Sequence, residues 1–258
     1  MFMEERHQKI AESIQANGSI SIAEIVRDYQ ISDESARRDL RMLEQKGLCK
    51  RTHGGAVRPQ QVSVRPPVDR DYSKMPVFDN YREIAREAAK QIREHDIVYL
   101  TGGSFGYIML PFLPKEFPYT IVVNSIDIGK ELRAWDNIEV YVTGGKMRPS
   151  GSMVDSLATA FVSRIHFDLC FITGAGLTAE FGLSNGTDET ASFQRAVIKN
   201  SRQKVLLLPG AKIGKDSFIQ VCPLDAFHRI ITDWDCLEDQ VAAIEQAGVT
   251  VTVVEPPA

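Results

Sequence analysis

ISDESARRDLRMLEQKGLCKRTHGGA, residues Ile31–Ala56, reads as a helix with one apolar stripe followed by a basic tail that closes on glycines. With Ser32 as its cap, a helix running to about Lys46 places Ala36, Leu40 and Leu43 at i, i+4 and i+7, a narrow apolar face. Arg37, Arg38 and Arg41 then project from the opposite face. From Arg37 to Arg51 the chain carries six basic residues against two acidic ones, Asp39 and Glu44. Phosphates respond to such a local excess. Upstream, Glu4–Ala16 sets Ile10, Ala11 and Ile14 on one helical face, with Asn17-Gly18 as the stop. Ser21-Ile22-Ala23-Glu24 is a capping-box pattern opening a second helix through Ile22, Ile25, Val26 and Tyr29 to about Gln30. The short connection at Ile31 makes helices two and three a helix-turn-helix, with the third as recognition helix. After Gly47, Lys50, Arg51 and His53 precede Gly54-Gly55 as in a short β-wing beside nucleic acid.

Charge averaged over the chain hides this signal. The 258 residues carry a net charge of −4, with 43% hydrophobic and 25% charged residues, the balance of an ordinary soluble globular protein. Cys49, Cys170, Cys222 and Cys236 form no C-x-x-C pair and have no histidines at ligand spacing, which argues against zinc and against a disulfide framework. MFMEERHQKI lacks the long apolar run of a signal peptide or membrane span, so a cytoplasmic location is expected. Four prolines and no sustained periodicity mark residues 58–79 as a linker between a domain at 1–57 and one at 80–258. The second domain opens with a helix over Asn80–His95, for which Asn80 and Glu83 are the expected capping pair.

Beyond it, apolar runs at 97–101, 120–124, 138–143, 168–173, 204–209 and 228–232 alternate with helical segments at 125–135, 154–164, 189–201 and 237–247. Continuous apolar runs between helices predict a buried parallel sheet, a Rossmann-like α/β fold that binds ligands beyond the carboxyl ends of its strands. The loops there are small and polar. Gly102, Gly103 and Ser104 are a candidate phosphate cradle, joined by Asn124-Ser125, Gly144-Gly145 and Gly174 after successive strands. Lys212 is the candidate cationic partner of a ligand anion. Each glycine loop alone is ordinary turn chemistry; their repetition after consecutive strands points to one pocket. Nicotinamide dinucleotides are not expected, because Gly102-Gly103-Ser104-Phe105-Gly106 lacks the G-x-G-x-x-G spacing and the second strand ends in Asn124 rather than an acid. No cofactor is expected. An enzyme moving protons at carbon needs a positioned base, and Asp188, Glu189 and His166 are the few candidates.

Residues 6–57 resemble the DNA-binding domain of the DeoR family of bacterial transcription regulators in RHQKI, SIAEI, IS-x-x-SARRDL, LEQKG and RTHGGAV. The resemblance implies DNA contacts by Ser35, Arg37, Arg38, Arg41, Lys50, Arg51, Thr52 and His53. Residues 80–235 resemble that family's effector-sensing domain, which is similar in fold to ribose-phosphate isomerases and senses phosphorylated sugars, in VVNS, VTGG, FDLCFITGAGL and Lys212-Ile213-Gly214. Thr101, Phe105, Gln194 and Pro209 depart from the family pattern. The expectation is therefore a small N-terminal winged helix-turn-helix domain plus a larger α/β sensor domain. Together they would form a homo-oligomeric repressor, dimer or tetramer, of carbohydrate-metabolism genes. Its effector would be a sugar phosphate or polyol-like metabolite held by Ser104, Asn124, Ser125 and Lys212. A less charged ligand packed against Phe105 is the rival for the pocket. An isomerase-like enzyme with an accessory N-terminal domain is the rival for the whole protein.

Overall fold

A computed structural model describes residues 3–17, 19–45, 48–52, 54–57 and 77–257, and the chain divides into two compact units, Met1–Gln61 and Val62–Ala258. The proposed linker lies mostly outside the described residues, as do Lys46 and His53.

In the first unit α1 spans Met3–Asn17, β1 Ser19–Ser21, α2 Ile22–Tyr29, α3 Asp33–Gln45, β2 Lys50–Thr52 and β3 Gly55–Val57. The capping box is present: Ser21 Oγ accepts from the Glu24 amide at 3.1 Å, and the Glu24 carboxylate accepts from the Ser21 amide at 2.7 Å. Gln30, left-handed at φ 50°, ends α2, and Ser32 Oγ accepts from the Ser35 amide at 3.2 Å to start α3. Ala36, Leu40 and Leu43 are buried with Ile10, Ile14, Ile22 and Ile25, so the predicted stripe is the one that forms the core. The sequence reading lacked β1. It completes an antiparallel sheet in the order β1-β3-β2, with Ala56 opposite Ile20 on one side and Arg51 on the other. A Cβ on Gly55 would stand 2.1 Å from the Ile20 carbonyl oxygen, so this wing closes only on glycine.

A buried polar tie joins α1 to α3. Asp39 is fully buried and accepts from Arg6 Nε at 2.7 Å and Arg6 Nη2 at 3.2 Å, with His7 Nε2 at 3.0 Å. Burial alone would raise its pKa, but the hydrogen bonds from Arg6 and His7 and the Arg6 charge hold the carboxyl below the usual range.

The second unit runs α4 (Asp79–Ala89), β4 (Ile97–Leu100), α5 (Ser104–Met109), β5 (Tyr119–Val123), α6 (Ile126–Leu132), β6 (Ile138–Val142), α7 (Ser156–Val162) and β7 (Phe167–Thr173). It continues through β8 (Gly176–Thr178), β9 (Gly182–Asn185), α8 (Asp188–Lys199), β10 (Ser201–Leu207), β11 (Ile219–Cys222), β12 (Arg229–Asp233), α9 (Glu238–Gln246) and β13 (Thr250–Val254). Seven parallel strands lie in the order β13-β12-β10-β7-β4-β5-β6, and β11-β9-β8 form a separate antiparallel sheet. Apolar side chains of both sheet faces are buried, which is why the strands read as unbroken apolar runs.

The strands expected from the sequence are present, but β13 and the antiparallel excursion were not anticipated, nor was the six-residue α5. The expected cap of α4 is also corrected. Phe78 occupies the cap position without a side-chain bond, and Asn80, inside the helix, donates instead to Asp233 Oδ2 at 2.8 Å. A buried carboxylate at the end of β12 outcompetes a local cap, because leaving it unpaired costs more than losing the cap.

Candidate nucleic-acid interface and effector site

On α3 the face opposite Leu40 and Leu43 is solvent-exposed at Arg37, Arg38 and Arg41. Arg37 Nε pairs with Asp33 one turn earlier at 2.7 Å, while Arg38 and Arg41 have no ion-pair partner among the described residues. Ser35 is half-buried at the start of the same helix. In the wing, the Arg51 guanidinium meets Glu44 at 2.6 Å and the Arg51 amide meets the same carboxylate at 2.8 Å. Arg51 therefore fastens β2 to the end of α3, a structural task the sequence did not disclose because Glu44 lies seven residues away. Thr52 is exposed and Lys50 half-buried on β2. The expected His53 contact falls outside the described residues.

In the second unit the strand order reverses at β4, which has β5 on one side and β7 on the other. A crevice at the carboxyl ends of such strands is where open α/β sheets bind ligands. Thr101 after β4 and Thr173 ending β7 lie side by side at this end of the sheet, their hydroxyls 3.5 Å apart. Gly103 lies over this pair, since a Cβ there would stand 3.8 Å from the Thr101 hydroxyl and 3.9 Å from that of Thr173. Lys212 reaches the same rim, its Nζ donating to the Gly174 carbonyl at 3.2 Å. Gly103 thus lies close to Thr101 and Thr173, and Lys212 to Gly174, while Ser104 opens α5 after Gly103.

The remaining candidates have structural occupations. The Gly102 amide donates to Asn124 Oδ1 at 2.9 Å, so it is already spent. Asn124 is buried; its Oδ1 also accepts from the Tyr99 hydroxyl at 2.9 Å, and its Nδ2 donates to the Met153 carbonyl at 3.0 Å. Burial pushes the Tyr99 phenol well above its ordinary pKa, so it stays a donor to Asn124. Ser125 is the buried cap of α6. Gly145, at φ 125°, lies against Asp155, whose carboxylate accepts from the Lys146 amide at 3.1 Å and the Ala158 amide at 3.2 Å. Gly144 and Gly145 thus form a loop shaped by the cap of α7. Phe105 is 2% exposed and stacks on Tyr81 with ring centroids 4.9 Å apart, which commits it to the core rather than to a ligand.

Three polar groups at this end of the sheet carry roles that the sequence did not disclose, Gln194 having stood out only as a departure from the family pattern. Gln194 donates to the Thr173 carbonyl at 2.8 Å and accepts from Asn185 at 2.6 Å, so a neutral amide network backs the crevice. Arg148 bridges to the start of α8, donating to Glu189 at 2.7 Å and Thr190 at 3.0 Å. Glu189, weighed above as a base, is thus an ion-pair partner. Asp233, pushed up by burial, receives the Gly210 amide at 3.3 Å. A lone arginine or glutamine is no motif, and their partners are distant in sequence.

The turn that carries Gly103 tolerates little change. A Cβ on Gly106 would stand 1.8 Å from the Thr101 carbonyl oxygen and 2.9 Å from Ile128. Gly106→Ala is expected to destabilise the second unit by about 1–3 kcal/mol, a fall in its thermal midpoint that scanning calorimetry would register; an unchanged midpoint would contradict the packing.

Residues 6–62 match the DeoR-like helix-turn-helix domain and residues 79–234 the DeoR C terminal sensor domain. The chain is 31% identical over 254 residues to the HTH-type transcriptional regulator GlpR of Haloferax volcanii, covering 97% of this chain and 98% of that one. It is 27% identical over 237 residues to the lactose phosphotransferase system repressor of Staphylococcus epidermidis, covering 91% and 93%. Ribose 5-phosphate isomerase A of Methanocaldococcus jannaschii is a distant structural likeness, with TM-score 0.38 and 14% identity over 52% of this chain and 53% of that one. Among the described residues no helix is long and apolar enough to cross a membrane.

Proposed function

Since the chain belongs to the DeoR family of transcription regulators and is not an enzyme, we propose that it is a cytoplasmic repressor of carbohydrate-metabolism genes, released from its operator by a sugar phosphate or related polyol-like metabolite. The observation that carries the DNA half is the two-sided α3, whose apolar side is sealed in the core while Arg38 and Arg41 stand in solvent without ion-pair partners among the described residues. Arg37, Ser35, Lys50, Thr52 and His53 complete the proposed contacts, and Arg51 acts through the wing it holds. A domain division at 1–57, 58–79 and 80–258 fits this reading. The names of relatives, a lactose phosphotransferase system repressor among them, support the sign of regulation and the class of gene.

The effector half rests on the crevice between β4 and β7. Thr101, Thr173 and Ser104 offer hydroxyls, Gly103 close backbone approach, and Lys212 a cation whose hold on the Gly174 carbonyl a ligand anion can replace. Asn124, Ser125, Gly102, Gly144, Gly145 and Gly174 shape the loops around it. Regulation then requires the ligand to bind the DNA-competent and DNA-incompetent states unequally.

The test is retention of genomic fragments by the purified chain at fixed salt, repeated with a panel of sugars and sugar phosphates. One specific site released by one class of metabolite is the expected result. Lys212→Ala should keep that site bound while raising the metabolite concentration needed for release about tenfold or more. Loss of DNA binding in this variant, or unaltered release, would remove Lys212 from the effector site. Absence of any specific site would sink the regulator reading.

A further inference from the structure

We propose that β13 is a self-pairing strand, joining the same strand of a second copy antiparallel across a two-fold axis so that two seven-stranded sheets become continuous. Among the described residues β13 pairs with β12 alone and forms one rim of the sheet. The Thr250 amide donates inward to the His228 carbonyl at 3.3 Å. Backbone groups alternate along a strand, so Thr250, Thr252 and Val254 serve β12, while the N–H and C=O of Val251 and Val253 face outward.

The chemistry of this rim suits its own copy. Thr250-Val251-Thr252-Val253-Val254 contains no charge and no proline, and its register with β12 runs through five consecutive pairs without a bulge. Charges, prolines and bulges are among the devices by which sheet edges avoid pairing, and none lies within the strand itself; Glu255 and Pro256 follow only after its last pair, and Arg229 Nη1 donates to Thr252 Oγ1 at 2.7 Å from β12. The opposite rim has one: on β6 the exposed Glu139 carboxylate accepts from the exposed Tyr141 hydroxyl at 3.0 Å, so a second β6 would meet charge. Helices α4 and α9 pack against β13 and hold it extended, yet Val253 remains 42% exposed.

A two-fold axis at Thr252 sets Val251 opposite Val253 of the second copy and Val253 opposite its Val251. Both are outward-facing positions, so each pair exchanges two backbone hydrogen bonds. Thr252 meets its own copy as a non-hydrogen-bonded pair with Cα atoms about 4.5 Å apart. Such a contact is closed and isologous. It supplies the two recognition helices that paired operator half-sites need, but it stands on the strand's chemistry whatever the protein senses.

The test measures the mass of the full chain by sedimentation equilibrium. The unaltered protein should be at least a dimer of its 28.8 kDa chain. Val253→Lys and Val253→Pro should halve the mass with an unchanged circular-dichroism spectrum, since the Val253 amide serves no bond within the protomer. Tyr141→Lys on the opposite rim should leave the mass intact. In a Cys236→Ser background, Thr252→Cys should form a disulfide-linked dimer on mild oxidation, because the paired Cα atoms are within disulfide reach. That readout remains decisive should either Val253 variant fail to fold. A monomeric unaltered protein, Val253 variants of undiminished mass, or no crosslink through residue 252 would each overturn the proposal.

Discussion

Asp39→Ala is expected to unfold the N-terminal unit while the second unit melts as before. The carboxylate is fully buried between Arg6 and His7, and the Arg6 side chain is only 12% exposed. Removing one partner of a buried pair strands the other charge and costs about 3–5 kcal/mol. That is comparable with the whole stability of a unit this small. Calorimetry should show the transition of the first unit displaced far downward, with DNA binding lost at temperatures where the sensor unit is intact. The same tie makes the first unit acid-sensitive. Asp39 has a folded-state pKa below its unfolded value, so its contribution is complete above about pH 4 and disappears as pH falls through the lower, folded value. A midpoint that is flat from pH 5 down to pH 2, or a mild effect of the alanine, would show that the tie is dispensable.

Joint replacement of Arg38 and Arg41 by alanine should act on binding and leave folding alone. Both side chains stand in solvent on the far side of α3 from its buried stripe, so their removal opens no cavity. If each contacts a base edge, the loss is about 1–3 kcal/mol apiece; if each contacts phosphate, the salt slope falls by about one unit per residue. If both read base edges, operator affinity at fixed salt should therefore drop by roughly thirtyfold to ten-thousandfold, with the melting transition unmoved. Titrating salt separates the two modes. Arg37→Ala should cost less, because Asp33 already holds that guanidinium. Equal affinity of the double variant and the unaltered chain would take α3 out of the interface.

Much of the fold was legible because its signals are local. The spacing of Ala36, Leu40 and Leu43 made α3 a one-sided helix, Ser21 and Glu24 marked where α2 begins, and unbroken apolar runs announced strands buried on both faces. Those patterns depend on periods of a few residues, and the structure retains them with ends shifted by a few positions. The strands missed were ones whose reason is distant. β1 exists because Gly55 admits the Ile20 backbone, and β8 and β9 exist through pairing with each other and of β9 with β11 rather than through an apolar run of their own.

The candidate site divides the same way. Glycine-rich loops after strands could be read from order alone, and so could the arginines opposite an apolar stripe. Which loop residues remain open to a ligand could not, because Asn124 is claimed by Tyr99, Gly102 and Met153, and Gln194 by Thr173 and Asn185, over separations of 9 to 29 residues. Composition and short-range periodicity pointed to two domains, their classes and a helix with arginines opposite an apolar stripe. Long-range hydrogen bonds assigned Asn124 and Arg51 to structure and brought the Thr101 and Thr173 hydroxyls and the Lys212 Nζ together at the ends of β4 and β7, because a side chain's partners are known only once everything that folds against it is in place.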